Sequence, residues 1–121
     1  MLRVVHFEIS ANDPEKVVAF YKDVFGWEIN KWDGPEDYWL VTTGEGEPGI
    51  NGAIFKPKEQ FTGTVNTIQV PDVDEYMEKV SANGGQVVTG KMSIPGVGDF
   101  AYCTDVEGTL FGIIQFAKDA G

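Results

Sequence analysis

Positive charge is what this chain most lacks. Nine Lys and Arg stand against nineteen Asp and Glu, a net charge of −10, and no basic cluster occurs along the sequence. Phosphate backbones and anionic lipid surfaces repel such a protein, so neither nucleic acid nor membrane is expected as a partner. Cysteine is nearly absent as well. Cys103 is the single thiol, which excludes an internal disulfide and a cysteine-rich zinc site. His6 is the single histidine, and without a nucleophile elbow it supports no Ser/His/Asp set. No apolar run approaches membrane-spanning length. The N-terminal MLRVVHFEIS lacks the long apolar core and small-residue cleavage site of a signal peptide. A cytoplasmic location is the expectation.

What is present is ordinary globular material. The chain has 121 residues, 42% hydrophobic and 23% charged, enough for one domain with a modest core. It is organised around residues 4–27, VVHFEISANDPEKVVAFYKDVFGW. Val5, Phe7 and Ile9 alternate with Val4, His6 and Glu8, the period of a strand with one apolar and one mixed face. Asp13 is placed as an N-cap, with Pro14 at the first helical position and Glu15 in the first turn. Val17, Phe20, Tyr21 and Val24 follow at i, i+3, i+4 and i+7, which predicts a buried stripe. Gly26 stops the helix. Strands are expected over 27–31, 37–43 and 50–56.

A degenerate copy, TVNTIQVPDVDEYMEKVSANGGQ, begins at Thr64, and an offset of 59 residues carries Asp13 onto Asp72, Val17 onto Tyr76 and Gly26 onto Gly85. Thr64 to Val70 reads as a strand. Asp72 caps a helix with Glu75 at the capping-box position. Val73, Tyr76, Met77 and Val80 repeat the stripe. Strands over 86–93, 100–104 and 109–117 complete the unit. The fold class is therefore α+β: two βαβββ modules, residues 1–60 and 61–121, whose uncovered sheet faces bury each other in a cupped, open barrel-like sheet with a central cavity.

These paired units, the FYKDVFGWEI segment and the closing DVEGTLFGIIQ resemble the vicinal oxygen chelate superfamily. It includes glyoxalase I, bleomycin-resistance proteins, extradiol dioxygenases and methylmalonyl-CoA epimerase. The resemblance covers nearly the whole chain. It implies a cavity lined by two cupped sheets and, in metal-dependent members, four ligands from the first and last strand of each unit. His6 sits at the first of these positions. Its counterpart by the offset is Val65. The last-strand glutamate position holds Gly112, and its counterpart is Gly52 or Ala53. Three of the four positions thus lack a side-chain donor, and a divalent ion needs several. The resemblance accordingly implies a member with no metal and no other cofactor. Bleomycin-resistance proteins in the family bind their ligand without chemistry and pair as dimers, so a homodimer is expected.

His6 and Glu8 share the cavity face. One reading is a neutral histidine oriented by a carboxylate, able to anchor a ligand or move a proton. The other is a hydrogen-bonded remnant of a metal site. Thr67 and Gln69 lie on the matching face of the second module. Of the aromatic residues on the central strands, Trp39 and Tyr102 are the candidate cavity walls, over Tyr38 and Phe100. Gly112 within a strand signals a bulge or a close approach. The expected function is binding of a small organic molecule through His6, Glu8, Trp39, Thr67, Gln69 and Tyr102. The alternative is a metal-dependent or His6-based lyase, isomerase or dioxygenase of the same superfamily, and a third is an interaction module.

Overall fold

Two aspartates start the two helices. In the computed structural model, which describes residues 2–59 and 61–118, Asp13 accepts the Lys16 N–H at 3.4 Å and opens α1 (Pro14–Phe25). Asp72 accepts the Glu75 N–H at 3.2 Å and opens α2 (Val73–Ala82). Each satisfies one of the donors that a helix start leaves without an intrahelical partner. The Glu75 carboxylate forms an i,i+4 pair with Lys79 at 3.2 Å. Gly26 ends α1 in the left-handed region, φ 71°, its N–H donating to Lys22 O at 2.9 Å; a residue with a Cβ is disfavoured in that conformation. Among the described residues, neither helix is long and apolar enough to cross a membrane.

Among the described residues nine strands accompany the helices: β1 (Val4–Ser10), β2 (Glu28–Lys31), β3 (Tyr38–Thr42), β4 (Gly52–Phe55), β5 (Thr64–Gln69), β6 (Gln86–Val87), β7 (Met92–Ile94), β8 (Gly98–Thr104) and β9 (Leu110–Phe116). The fold class is α+β. Packing divides the chain into a first unit, His6–Val65, and a second unit, Asn66–Gly121 together with Met1–Val5.

In the first unit the strand order is β2-β3-β4-β1, with β1 and β4 parallel and the other pairs antiparallel. Ala11, Ile29, Val41 and Ile54 are its buried core, and Phe7, Ile9, Val17, Val18, Tyr21, Trp27 and Trp39 pack against them. The expected stripe of α1 is corrected here. Phe20 and Val24 are each 55% exposed. The face that meets the sheet is Pro14, Val17, Val18 and Tyr21. This is the same i, i+3, i+4, i+7 template moved three residues toward the N-terminus.

In the second unit the order is β5-β9-β8-β6, with β7 also on β8. Val70, Val73, Ala101, Cys103 and Ile113 form the buried core, and Tyr76, Met77 and Val80 of α2 pack on it as expected. Each valine or isoleucine so buried contributes about 1.5–3 kcal/mol. The strand expected over 86–93 is two strands. Gly90, at φ 73°, turns the chain between them. The Thr89 hydroxyl oxygen accepts the Tyr102 N–H at 3.0 Å, and Val88 N–H donates to Tyr102 O at 2.8 Å, so the break costs β8 no pairing. Gln69 N–H donates to Arg3 O at 2.9 Å, which ties the leading residues to this unit.

Candidate functional site

Strand alternation delivers His6 and Glu8 to the face of β1 opposite Phe7 and Ile9, which join the helix-side core. The same rule sorts β3. Trp39 and Val41 go to the helix side, and Tyr38 and Leu40 therefore take the other. Register carries Tyr38 toward the β1 pair: Leu40 lies opposite Ala53, and Ala53 lies beside Glu8. Adjacent strands are ~4.8 Å apart, so a phenol and a carboxylate from next-but-one strands meet over the strand between them. The residue there is Ala53, fully buried and small.

The result is a three-membered polar chain inside one unit. The Tyr38 hydroxyl donates to Glu8 Oε2 at 2.7 Å and lies 3.0 Å from His6 Nε2. The Tyr38–Glu8 distance is that of a charge-assisted bond. Glu8 is only 5% exposed. Burial pulls the His6 pKa below 6.5, and the Glu8 charge partly opposes the shift. The chain can therefore hold a neutral imidazole beside a buried carboxylate, joined by a hydroxyl.

The second unit carries a different arrangement on its helix-free face. Thr67, Gly112 and Tyr102 lie in one ladder row. Thr67 is 1% exposed, and its Oγ1 has no hydrogen-bond partner among the described residues. A Cβ at Gly112 would stand 2.5 Å from Phe100 Cζ and 3.0 Å from Thr67 Oγ1. The Phe100 ring thus fills the space a side chain at 112 would need. Tyr102 meets Phe100 edge to face, centroids 4.7 Å apart. Gln69 is exposed and borders a shallow concavity of about 310 Å³ with Leu2, Pro71 and Tyr76.

The six candidate residues are divided between the units, with His6, Glu8 and Trp39 in the first and Thr67, Gln69 and Tyr102 in the second. His6 and Glu8 come together. Trp39 lies on the helix side of the first unit, with the Lys31 ammonium 5.5 Å from its ring centre. Thr67 and Tyr102 share a row in the second unit. Tyr38 is the residue the sequence left aside. The signal for it was present but faint: Trp39 and Val41 are both apolar, whereas Tyr38, Leu40 and Thr42 are mixed.

Strand register fixes the four positions that correspond to the metal ligands of metal-dependent members. Gly112 pairs with Thr67, and Ala53 pairs with Glu8. Thr67 and Glu8 are themselves 59 apart, so Ala53 is the counterpart of Gly112. The set is His6, Ala53, Val65 and Gly112. Val65 is fully buried, and Gly112 is sealed by Phe100. Among the described residues no three His, Cys, Asp or Glu side chains gather as a metal would require. These residues do not fit a divalent cation.

Comparison with known proteins agrees with this architecture. Residues 3–44 match the family described as bleomycin resistance protein-like N-terminal. A protein of Mycobacterium tuberculosis named "Putative glyoxylase CFP32" is 28% identical over 111 residues, 89% of this chain and 42% of that protein. The chain thus spans under half the length of this mycobacterial relative. A "Glyoxylase-like domain-containing protein" of Didymella fabae is 29% identical over 112 residues, 88% of each chain. Methylmalonyl-CoA epimerase from M. tuberculosis superposes with a TM-score of 0.71 at 14% identity, covering 94% of this chain and 87% of that one. A methylmalonyl-CoA epimerase in complex with methylmalonyl-CoA and NH4+ gives a TM-score of 0.73 at 15% identity, covering 98% and 97%. At such identities the structures show the fold alone. The chain thus has the fold of these epimerases, its residues 3–44 match the bleomycin resistance protein-like family, and its sequence is similar to glyoxylase-like proteins, in line with the resemblance to the vicinal oxygen chelate superfamily.

Proposed function

We propose that this chain binds a small organic molecule on the helix-free face of its first unit, without a divalent cation. His6, Tyr38 and Glu8 supply the polar contacts. The observation that carries the reading is the Tyr38 hydroxyl between His6 Nε2 and Glu8 Oε2 at 3.0 and 2.7 Å. A buried carboxylate and a half-buried imidazole are expensive to keep without a use, and few convergent polar groups on an apolar wall are what ligand sites employ. The donor set argues against a metal, since three of four positions offer no side-chain ligand. The lone buried thiol, Cys103, is compatible with a cytoplasmic setting, and a homodimer is the expected assembly.

A thermal-shift screen of planar aromatic and metabolite-like compounds tests the reading, because a ligand that binds only the folded state raises its apparent stability. Hits should lose about fivefold in affinity in His6→Ala, the worth of one hydrogen bond. Stoichiometric metal in protein expressed without a metal-binding tag, lost in the same variant, would overturn it.

The second reading is an enzyme of the superfamily using His6 in proton transfer. What favours it is the buried Glu8 linked to the imidazole through the Tyr38 hydroxyl, a hydrogen-bonded relay of the kind that can orient a base. Turnover of a screening hit, abolished in His6→Ala with binding retained, would select this reading over simple binding.

A further inference from the structure

The polar chain at His6 has a direction. An ionised carboxylate only accepts hydrogen bonds, and a tyrosine hydroxyl has one proton to give. Tyr38 gives that proton to Glu8. Toward His6 Nε2 it can then only accept. The imidazole is therefore held as the tautomer with its proton on Nε2, and Nδ1 keeps a bare lone pair. Among the described residues Nδ1 has no hydrogen-bond partner.

We propose that His6 Nδ1 is the ligand contact, and that the ligand is a small organic molecule presenting an O–H or N–H donor and carrying no negative charge. This rests on the reading that the face binds a small organic molecule. It goes further by naming the ligand's chemistry. A metal cation at this place would collect lone pairs from its ligand. A histidine locked as an acceptor collects protons on electronegative atoms. The same strand position thus selects the opposite polarity in a ligand. Charge acts in the same sense. The Glu8 carboxylate sits one hydroxyl away, and the chain carries a net charge of −10. The Lys31 ammonium, on strand β2 of this unit, lies over Trp39 on the other face. An anionic ligand would meet repulsion at close range and across the surface.

The single histidine makes the test direct. A long-range proton–nitrogen NMR spectrum of nitrogen-15-labelled protein at mildly alkaline pH contains one imidazole. It should show Nε2 protonated and Nδ1 of the lone-pair type. Phenol, anisole and benzoate are then titrated as matched probes. Phenol should move the Nδ1 signal and bind about fivefold or more tightly than anisole, the discrimination one hydrogen bond supplies. Benzoate should bind more weakly than either. In Tyr38→Phe the ring should become a mixture of tautomers, and the preference for phenol should shrink.

An Nδ1-protonated ring in the wild type overturns the proposal and leaves binding on this face standing. Equal affinity for phenol and anisole, or tighter binding of benzoate, overturns it in the same way. Probes that bind without moving any His6 signal overturn both the proposal and the site. The tautomer measurement needs no variant and no ligand, so it remains decisive if Tyr38→Phe folds poorly.

Discussion

The two units share one strand-and-helix scaffold and differ in the side chains on its helix-free face. In the first, Glu8, Ala53 and Leu40 form a ladder row, and Tyr38 stands in the next row opposite Phe55. In the second, Thr67, Gly112 and Tyr102 form the corresponding row, and Phe100 stands in the next row opposite Ile114. Tyr38 and Phe100 are therefore equivalent, as are Glu8 and Thr67. Where the ring ends in a hydroxyl, a buried carboxylate has a partner and a histidine is drawn in. Where it ends in carbon, the threonine hydroxyl has none among the described residues, and the ring instead covers a glycine. The polar chain of one helix-free face and the apolar plug of the other thus follow from Tyr38 in place of Phe100 together with Glu8 in place of Thr67 and His6 in place of Val65.

Removing the plug should be the most costly change. Phe100 is 7% exposed, and Phe100→Ala should destabilise by about 3 kcal/mol or more in urea unfolding. Gly112→Ala alone should cost about 1–3 kcal/mol through overpacking. In the Phe100→Ala background the same glycine change should cost at least ~1 kcal/mol less, because its main obstruction is gone. Strict additivity of the two would show that the ring does not fill the space beside Gly112.

Tyr38→Phe makes the first unit resemble the second. It leaves Glu8 and His6 without their shared hydroxyl and should cost about 1–3 kcal/mol. A variant as stable as the wild type would mean the polar chain adds nothing to folding. Thr67→Val tests the other side. Removing a buried hydroxyl that lacks a partner should stabilise by about 1 kcal/mol. A loss of stability would reveal that Oγ1 is satisfied after all.

The smallest effect is on pH dependence. Burial depresses the His6 pKa from 6.5. In the unfolded chain the imidazole takes up a proton as pH falls through about 6.5, while folded His6 resists until a lower pH. The unfolded state binds more protons in that window. The contribution of His6 is therefore complete above 6.5 and is lost as pH drops toward the folded value. His6→Gln should flatten this part of the stability profile, read as the difference from wild type. A wild-type profile identical to that of the variant would mean that folding does not perturb the histidine.

Much of this was legible in the sequence, and the reasons differ by residue. Asp13, Asp72 and Gly26 act through their own backbone neighbourhoods, so their roles follow from local chemistry. The shared face of His6 and Glu8 follows from period 2 alone. The stripe of α1 was harder, because the i, i+3, i+4, i+7 template fits twice along it. Pro14-Val17-Val18-Tyr21 and Val17-Phe20-Tyr21-Val24 are equally regular, and only the sheet chooses. Tyr38 against Trp39 was harder again. Two adjacent aromatics give β3 no polar–apolar contrast from which to set its facing. The closure of Gly112 by Phe100 joins residues on two strands, and their register is a property of the ladder. The break between β6 and β7 depends on a threonine side chain replacing a backbone partner, which no periodicity records.

The aromatic residues have one more consequence, and it is optical. All three tryptophans fall within residues 27–39 of the sequence, in the first unit. The second unit absorbs through Tyr76 and Tyr102 but contains no indole. Trp27 also lies parallel to Tyr21 of α1, rings 4.9 Å apart at 3°, close enough for their electronic transitions to couple. Indole emission and near-ultraviolet dichroism of the tryptophans therefore originate in the first unit and report the docking of its helix, and the second unit contributes no indole signal of its own.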